Sequence, residues 1–220
     1  RLGIRGFYPL IAGVGSVFLS GGGKAKLLRK ILVTEYRVGM KHAERVFFQN
    51  PDDVAVFCRH GIVDKSRVVM LNGSGVNLEK FQVQPLPKTP AFLCISRLIR
   101  DKGVYEYLQA AGIVKERYPA VRFLLVGPYD TNPSALKPEE LQPYADAGIV
   151  EYFGEQADVR PYLAQCSVFV LPSYREGTPK TVLEAMASGR AVITTDAPGC
   201  RETVRDGENG YLVPVREVSA

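Results

Sequence analysis

Two cations stand close together in the stretch SRLIRDKG (96–103): Arg97 and Lys102, with Gly103 directly after. A guanidinium can clamp two oxygens of an oxyanion, and an ammonium adds a compact point charge. The glycine lets the backbone turn and open a helix, whose first N–H groups are unsatisfied and carry partial positive charge. This combination suits a diphosphate. Taken alone, two cations on a loop have a plainer reading as solvated surface charge.

A second constellation lies in SYREGTPKTVLEAMASG (173–189). Pro172 and Pro179 bracket a loop that holds Glu176 and Gly177, and the helix that follows carries Glu184. Gly177 and Thr178 can present N–H groups to a phosphate near a helix start. A carboxylate on the loop and another in the helix can each accept hydroxyl hydrogen bonds from a sugar, one from a ribose and one from a hexose. The plainer reading makes both carboxylates surface charges and leaves the small residues of EAMASG to close helix packing.

These loops need elements to position them. Residues 91–96 (AFLCIS), 122–127 (RFLLVG), 149–154 (IVEYFG), 167–173 (SVFVLPS), 191–195 (AVITT) and 211–213 (YLV) read as strands. Between them, helices are expected at 103–118, 138–147, 159–165 and 180–188, with a short one at 201–205. Strands alternating with helices imply right-handed crossovers and a parallel sheet covered on both faces. Such sheets bind ligands beyond the carboxyl ends of their strands. The loops after Ser96, Gly127, Gly154, Ser173 and Thr195 are therefore expected to face one site.

Upstream, 25–45 reads as one helix in which Leu27, Leu28, Ile31, Leu32, Tyr36, Val38 and Met40 supply an apolar stripe. A strand at 45–50 (RVFFQN), a short helix at 52–59 and a strand at 66–72 follow. The connector QVQPLPKTP (82–90) carries Pro85, Pro87 and Pro90 and can continue neither a helix nor a central strand.

Composition sets the outer limits. Of 220 residues, 46% are hydrophobic and 23% charged, which is ordinary for a globular chain with a sizeable core. The net charge of +5 and the pI near 9.0 suit an anionic ligand or surface and equally a mildly basic soluble protein. Nucleic acid is not expected as a partner, because basic residues are not interleaved with aromatics. Cys58, Cys94, Cys166 and Cys200 are widely spaced, which points to reduced, mostly buried thiols in a reducing compartment. His42 and His60 are the two histidines, so no metal site is expected. The longest apolar run, FYPLIAGVGSVFL (7–19), is too short to span a bilayer and is broken by Pro9, Gly13 and Gly15. The chain opens on Arg1 and closes on Ala220 after a strand-like segment, and so reads as part of a longer protein.

Four motifs now occur in order. The run E-G-T-P-x-x-x-L-E-A-M-A-x-G (176–189) resembles the donor-site signature of the family-4 retaining glycosyltransferases of GT-B architecture, built from two facing Rossmann-like domains. SRLIRDKG resembles that group's phosphate loop. GSGVNLEKF (73–81) resembles its interdomain segment, with Asn77 where Asp is usual. PGCRETVRDGENGYLV (198–213) resembles its Gly-x-x-Glu stretch and following strand. The similarity is greatest to bacterial enzymes that extend lipid-linked oligosaccharides for capsule, O-antigen or protein glycosylation.

The resemblance implies an α/β fold with a partial N-terminal acceptor domain at 1–72, a connector at 73–90 and a donor-binding domain at 91–220 that lacks its final helices. It implies transfer of a hexose or N-acetylhexosamine, with retention, from a nucleoside diphosphate sugar, UDP being the best candidate. The acceptor would be a glycan or lipid-linked saccharide, reached in the cytoplasm or at the inner face of the cytoplasmic membrane. Arg97 and Lys102 would bind the diphosphate, Glu176 the transferred sugar and Glu184 the ribose. Gly177, Thr178, Pro179, Lys180 and Thr181 would shape the phosphate and sugar pocket. The base would rest near Gly154 to Val159, with Gly154 and Asp158 as donor-binding residues, and Gly73 and Ser96 would also line the donor site. No cofactor beyond the nucleotide sugar is implied. An epimerase of the same architecture and a non-catalytic nucleotide-sugar-binding module are the rival readings. Finally, Lys24, Lys26, Arg29, Lys30, Arg37, Lys41 and Arg45 make 24–45 strongly basic. A domain helix with an ordinary solvated face is the preferred reading. Peripheral docking on an anionic membrane is the other.

Overall fold

A computed structural model of the chain describes residues 6–15, 18 and 22–219. Arg1, Ala220, part of the 7–19 apolar run and the side chain of Lys24 lie outside the described residues. The chain divides into two compact units, Arg1–Ser74 with Glu176–Thr178, and Gly75–Arg175 with Pro179–Ala220.

The first unit holds a parallel three-stranded sheet in the order β1 (Leu10–Ile11), β2 (Val46–Phe48), β3 (Val68–Met70). Helix α1 (Gly23–Met40) and helix α2 (Pro51–Arg59) pack with it around Val33, Met40, Val46, Phe48 and Phe57. Helix α2 starts where the sequence provides for it. The Asn50 side chain accepts from the backbone N–H of Asp53 at 2.8 Å, Pro51 stands in the first turn, and Asp52 and Asp53 complement the positive helix end.

Helix α1 stops five residues short of the expected 45. Strand pairing wins there over local helix preference. The Glu44 N–H donates to the Phe7 carbonyl at 3.1 Å and the Phe47 N–H to the Pro9 carbonyl at 2.9 Å. Arg45 is therefore not on the helix. The expected single apolar stripe also divides: Val33 and Met40 are buried, whereas Leu27, Leu28, Ile31 and Val38 are exposed. The strand expected at 66–72 shrinks to β3, preceded by a 3-10 turn at Lys65–Arg67.

The second unit is a six-stranded, all-parallel sheet. Its strands are β4 (Ala91–Ile95), β5 (Arg122–Val126), β6 (Glu151–Tyr152), β7 (Val168–Leu171), β8 (Ala191–Thr195) and β9 (Gly210–Val213). They lie in the order β6-β5-β4-β7-β8-β9. Side chains alternate faces along each strand, as the pleat demands. Leu93, Ile95, Leu124 and Val126 pack with α5 (Arg160–Gln165) and α6 (Lys180–Ala187). Cys94, Phe123 and Leu125 pack with α3 (Val104–Arg117) and α4 (Pro138–Asp146). The helix expected at 201–205 is a 3-10 turn, Arg201–Thr203.

The strand order fixes where a ligand can enter. From β4 the chain winds outward through β5 to β6, then returns to the other side of β4 for β7, β8 and β9. The reversal falls between β4 and β7, and open α/β sheets bind ligands in the crevice beyond such a switch point. The loop after β4 is SRLIRDKG, and the loop after β7 begins PSYREGTP.

No disulfide joins the four cysteines, and Cys94, Cys166 and Cys200 are buried. Burial pushes the Cys94 thiol up to about 12 and the Cys166 thiol up to about 11, which suppresses their thiolates. A thiol reagent such as DTNB is expected to modify Cys58 alone in the native chain and all four cysteines in denaturant. Titration of more than one thiol before unfolding would contradict this packing.

Candidate functional site at the sheet switch point

The two loops that flank the switch point are joined through one backbone group. The Asp101 carbonyl accepts from the Tyr174 N–H at 2.9 Å and from Ser173 Oγ at 3.1 Å. Just beyond, Gly103 sits at φ 70°, and a Cβ built there would lie 2.0 Å from the Pro172 carbonyl oxygen. Only glycine fits that approach. Its left-handed turn ends the 3-10 segment Arg100–Lys102 and starts α3 at Val104. The expected glycine-opened helix beside two cations is therefore present.

The neighbouring loops join the same cluster. The Ser96 N–H donates to the Val126 carbonyl at 3.0 Å, and the Leu98 N–H to the Pro128 carbonyl at 3.0 Å. A Cβ on Gly127 would lie 1.8 Å from the Ser96 carbonyl oxygen, and the Gly127 N–H donates to the Gly154 carbonyl at 2.8 Å. On the other side, Thr195 Oγ1 donates to the Ser173 carbonyl. Within the second unit the loops after β4, β5, β6, β7 and β8 are thus in direct contact, as the strand pattern predicts.

Arg97 is exposed at the start of its loop and is not solvated alone. Its Nη1 lies 2.8 Å from Asp130 Oδ2. The Asp130 carboxylate also accepts the Asn132 N–H at 2.8 Å. That backbone bond first, and Arg97 second, hold its carboxyl below the usual aspartate range. Asp130 therefore orients Arg97, as planar guanidinium–carboxylate pairs do. Sequence reasoning missed Asp130. The Asp-Thr-Asn run after Gly127-Pro128 is a turn signal, but nothing local reveals that the turn carries a partner for a cation more than thirty residues earlier.

Glu184 is not the surface carboxylate of the plainer reading. It is 8% exposed, with Lys180 Nζ 3.7 Å from its carboxylate. Burial raises its pKa, and Lys180 only partly opposes that shift. Pro179 caps α6, Lys180 is exposed and Thr181 half-buried in its first turn. Gly177 and Thr178 thus precede the helix rather than form its first turn, and with Glu176 and Gly73 they belong to the first unit.

Also in the second unit, Asp158 is held by Arg160 through bonds of 2.8 and 2.7 Å, which together with the Arg160 N–H bring its carboxyl down to about 2. Both line a cavity of about 410 Å³ with Glu79, Lys80, Phe81 and Pro161. Gly154 turns the chain at φ 67° between β6 and this loop.

Comparison with known proteins agrees with this geometry. The family "Glycosyl transferases group 1" matches residues 89–220, and the chain belongs to that family. It is 32% identical over 217 residues to the N,N'-diacetylbacillosaminyl-diphospho-undecaprenol alpha-1,3-N-acetylgalactosaminyltransferase of Campylobacter jejuni, covering 92% of this chain and 56% of the relative. It is 28% identical over 152 residues to the capsular polysaccharide biosynthesis glycosyltransferase CapM of Staphylococcus aureus, covering 64% of this chain and 40% of that protein. The chain thus spans about half the length of such relatives. Among solved structures, sucrose-phosphate synthase from Thermosynechococcus elongatus superposes with a TM-score of 0.77 at 25% identity, over 97% of this chain and 56% of that one. Anabaena HepE, solved in complex with UDP-glucose, gives a TM-score of 0.74 at 19% identity, over 97% of this chain and 60% of that one. The fold is that of the GT-B glycosyltransferases.

The buried carboxylate yields a prediction with a definite sign. A raised folded-state pKa means the native state prefers Glu184 protonated. That preference contributes stability below the ordinary glutamate range and is lost as pH rises through the raised value. Glu184→Gln is expected to raise Tm by a few degrees at pH 7, with the gain shrinking as pH falls below the glutamate range. A lower Tm than the wild type at pH 7 would show instead that the Lys180 pair outweighs desolvation.

Proposed function

We infer that this chain carries the donor half of a glycosyltransferase that moves a hexose or N-acetylhexosamine from a UDP-sugar to a glycan or lipid-linked saccharide, with retention. The observation that carries the reading is the joining of the Arg97–Lys102 loop to the β7 loop at the sheet's switch point, within a chain of this family. The named activity of the Campylobacter jejuni relative supports an N-acetylhexosamine and a lipid-diphosphate-linked acceptor. The UDP-glucose complex of HepE supports the nucleotide.

In this reading Arg97, Lys102 and the start of α3 bind the diphosphate, and Asp130 fixes the Arg97 fork. Breaking the glycosidic bond builds negative charge on the departing UDP. Preorganised cations and N–H groups stabilise that charge as it develops, one such donor being worth about 3 kcal/mol in a transition state. Glu184, largely buried, accepts the ribose hydroxyls. Glu176 contacts the hexose, and Gly177, Thr178, Pro179, Lys180 and Thr181 shape its surroundings. Gly73 and Ser96 line the donor site, and the base rests between Gly154 and Asp158. Charge neutralisation by protein cations requires no metal.

Calorimetric titration tests these roles on the 220-residue chain. Arg97→Ala is expected to weaken UDP binding about tenfold or more, the worth of one charge-assisted bond. Asp130→Asn is expected to cause a smaller loss in the same direction. Glu176→Ala should leave UDP affinity unchanged and abolish the preference for UDP-hexose over UDP. Chelator should change none of these. Wild-type UDP affinity in Arg97→Ala would overturn the assignment.

A further inference from the structure

Tyr174 stands in the loop after β7, next but one to Glu176, and is held at both ends. Its backbone N–H donates to the Asp101 carbonyl, and its hydroxyl donates to Glu106 Oε1 at 2.6 Å. Asp101 lies in the loop that carries Arg97 and Lys102, and Glu106 lies in the first turn of α3. The other oxygen of the Glu106 carboxylate is buried with no hydrogen-bond partner among the described residues. The tyrosine bond is therefore what holds that side chain. Burial first, and the bond to Glu106 second, push the Tyr174 hydroxyl up to about 12, so it stays a donor at neutral pH.

A third contact comes from the turn after β9. The centre of the Arg216 guanidinium lies 4.7 Å from the centre of the Tyr174 ring. Arg216 is also the one non-glycine residue at positive φ among the described residues, at 65°. A residue with a Cβ is disfavoured there and persists only where its surroundings impose the conformation. Glycine would adopt the same turn without strain. What the arginine adds is a cation over a half-buried aromatic face, an attraction that strengthens as water is withdrawn.

We propose that Arg216 and Glu106 are positioning residues that act through Tyr174, holding the loop after β7 against the 96–103 loop and the start of α3 so that the donor site is formed before its ligand arrives. The ligand named here rests on the donor-site reading, whereas the clamp itself does not. Neither side chain has to touch the nucleotide. Three segments far apart in sequence meet on one ring, and releasing the ring removes the side-chain anchor while the strands stay paired. Small displacements of groups that support a binding geometry are costly.

Arg216→Gly separates positioning from fold stability, because glycine relieves the left-handed backbone while the cation is lost. Its Tm is expected to stay near that of the wild type. Hydrogen exchange at the Tyr174 amide is expected to quicken about tenfold. UDP affinity, measured by calorimetric titration on the 220-residue chain, is expected to fall about fivefold. Arg216→Lys keeps a cation over the ring and should hold affinity within about twofold of the wild type. Tyr174→Phe keeps the ring, loses the bond to Glu106 and should quicken exchange at the same amide. Unchanged exchange in both Arg216→Gly and Tyr174→Phe, or unchanged UDP affinity in Arg216→Gly, would overturn the proposal. So would an affinity loss accompanied by a large fall in Tm, the mark of a merely structural role. A wild-type chain that binds no UDP would overturn the donor-site reading instead, and the exchange result would still decide whether the clamp exists.

Discussion

The arrangement of the candidate site rests on one carbonyl that joins two loops. Asp101 O receives both the Tyr174 N–H and Ser173 Oγ, and thereby ties the loop after β4 to the loop after β7 across the point where the sheet reverses. Parallel strands leave their carboxyl ends and loops at one edge, but adjacency does not fix loops relative to each other. Here polar bonds do, and the absent side chain of Gly103 lets the backbones approach. The cations, the helix start and the buried carboxylate of α6 are all placed by elements that meet at this junction.

The electrostatics follow from burial. Arg97 is exposed and held in shape by Asp130, so its charge is available while its direction is set. Glu184 is the opposite case, a carboxylate kept largely out of water with a lysine at a loose 3.7 Å. A chain selected for stability alone would place an apolar residue there. A desolvated acceptor is reasonable where a hydroxyl donor arrives with a ligand.

Much of this could be read from the sequence, and the limits have physical causes. The strands of the second unit are runs of Val, Ile, Leu and Phe bounded by Gly, Pro and Ser, and a buried parallel strand needs just that pattern. The alternation with helices gave the parallel topology. The positions of Arg97 and Lys102 in the loop after β4 and of Glu184 in α6 were legible, because motif spacing sets them. Asp130 was not, because its role comes from a tertiary pairing. The end of α1 was misplaced because the Phe7 and Pro9 carbonyls capture the chain at Glu44 and Phe47, a long-range effect that helix periodicity cannot register. Periodicity likewise marked Leu27, Ile31 and Val38 as apolar without telling which side of the helix was covered.

The central claim is that the 96–103 loop and the start of α3 form a diphosphate site, and comparing UDP with uridine tests it most directly. Binding of each is measured by titration to the wild type and to the double variant Arg97→Ala, Lys102→Ala. The account predicts that UDP binds the wild type roughly 100-fold more tightly than uridine does, and that this gap nearly closes in the double variant. Equal affinities for UDP and uridine in the wild type, or a gap that survives loss of both cations, would contradict it.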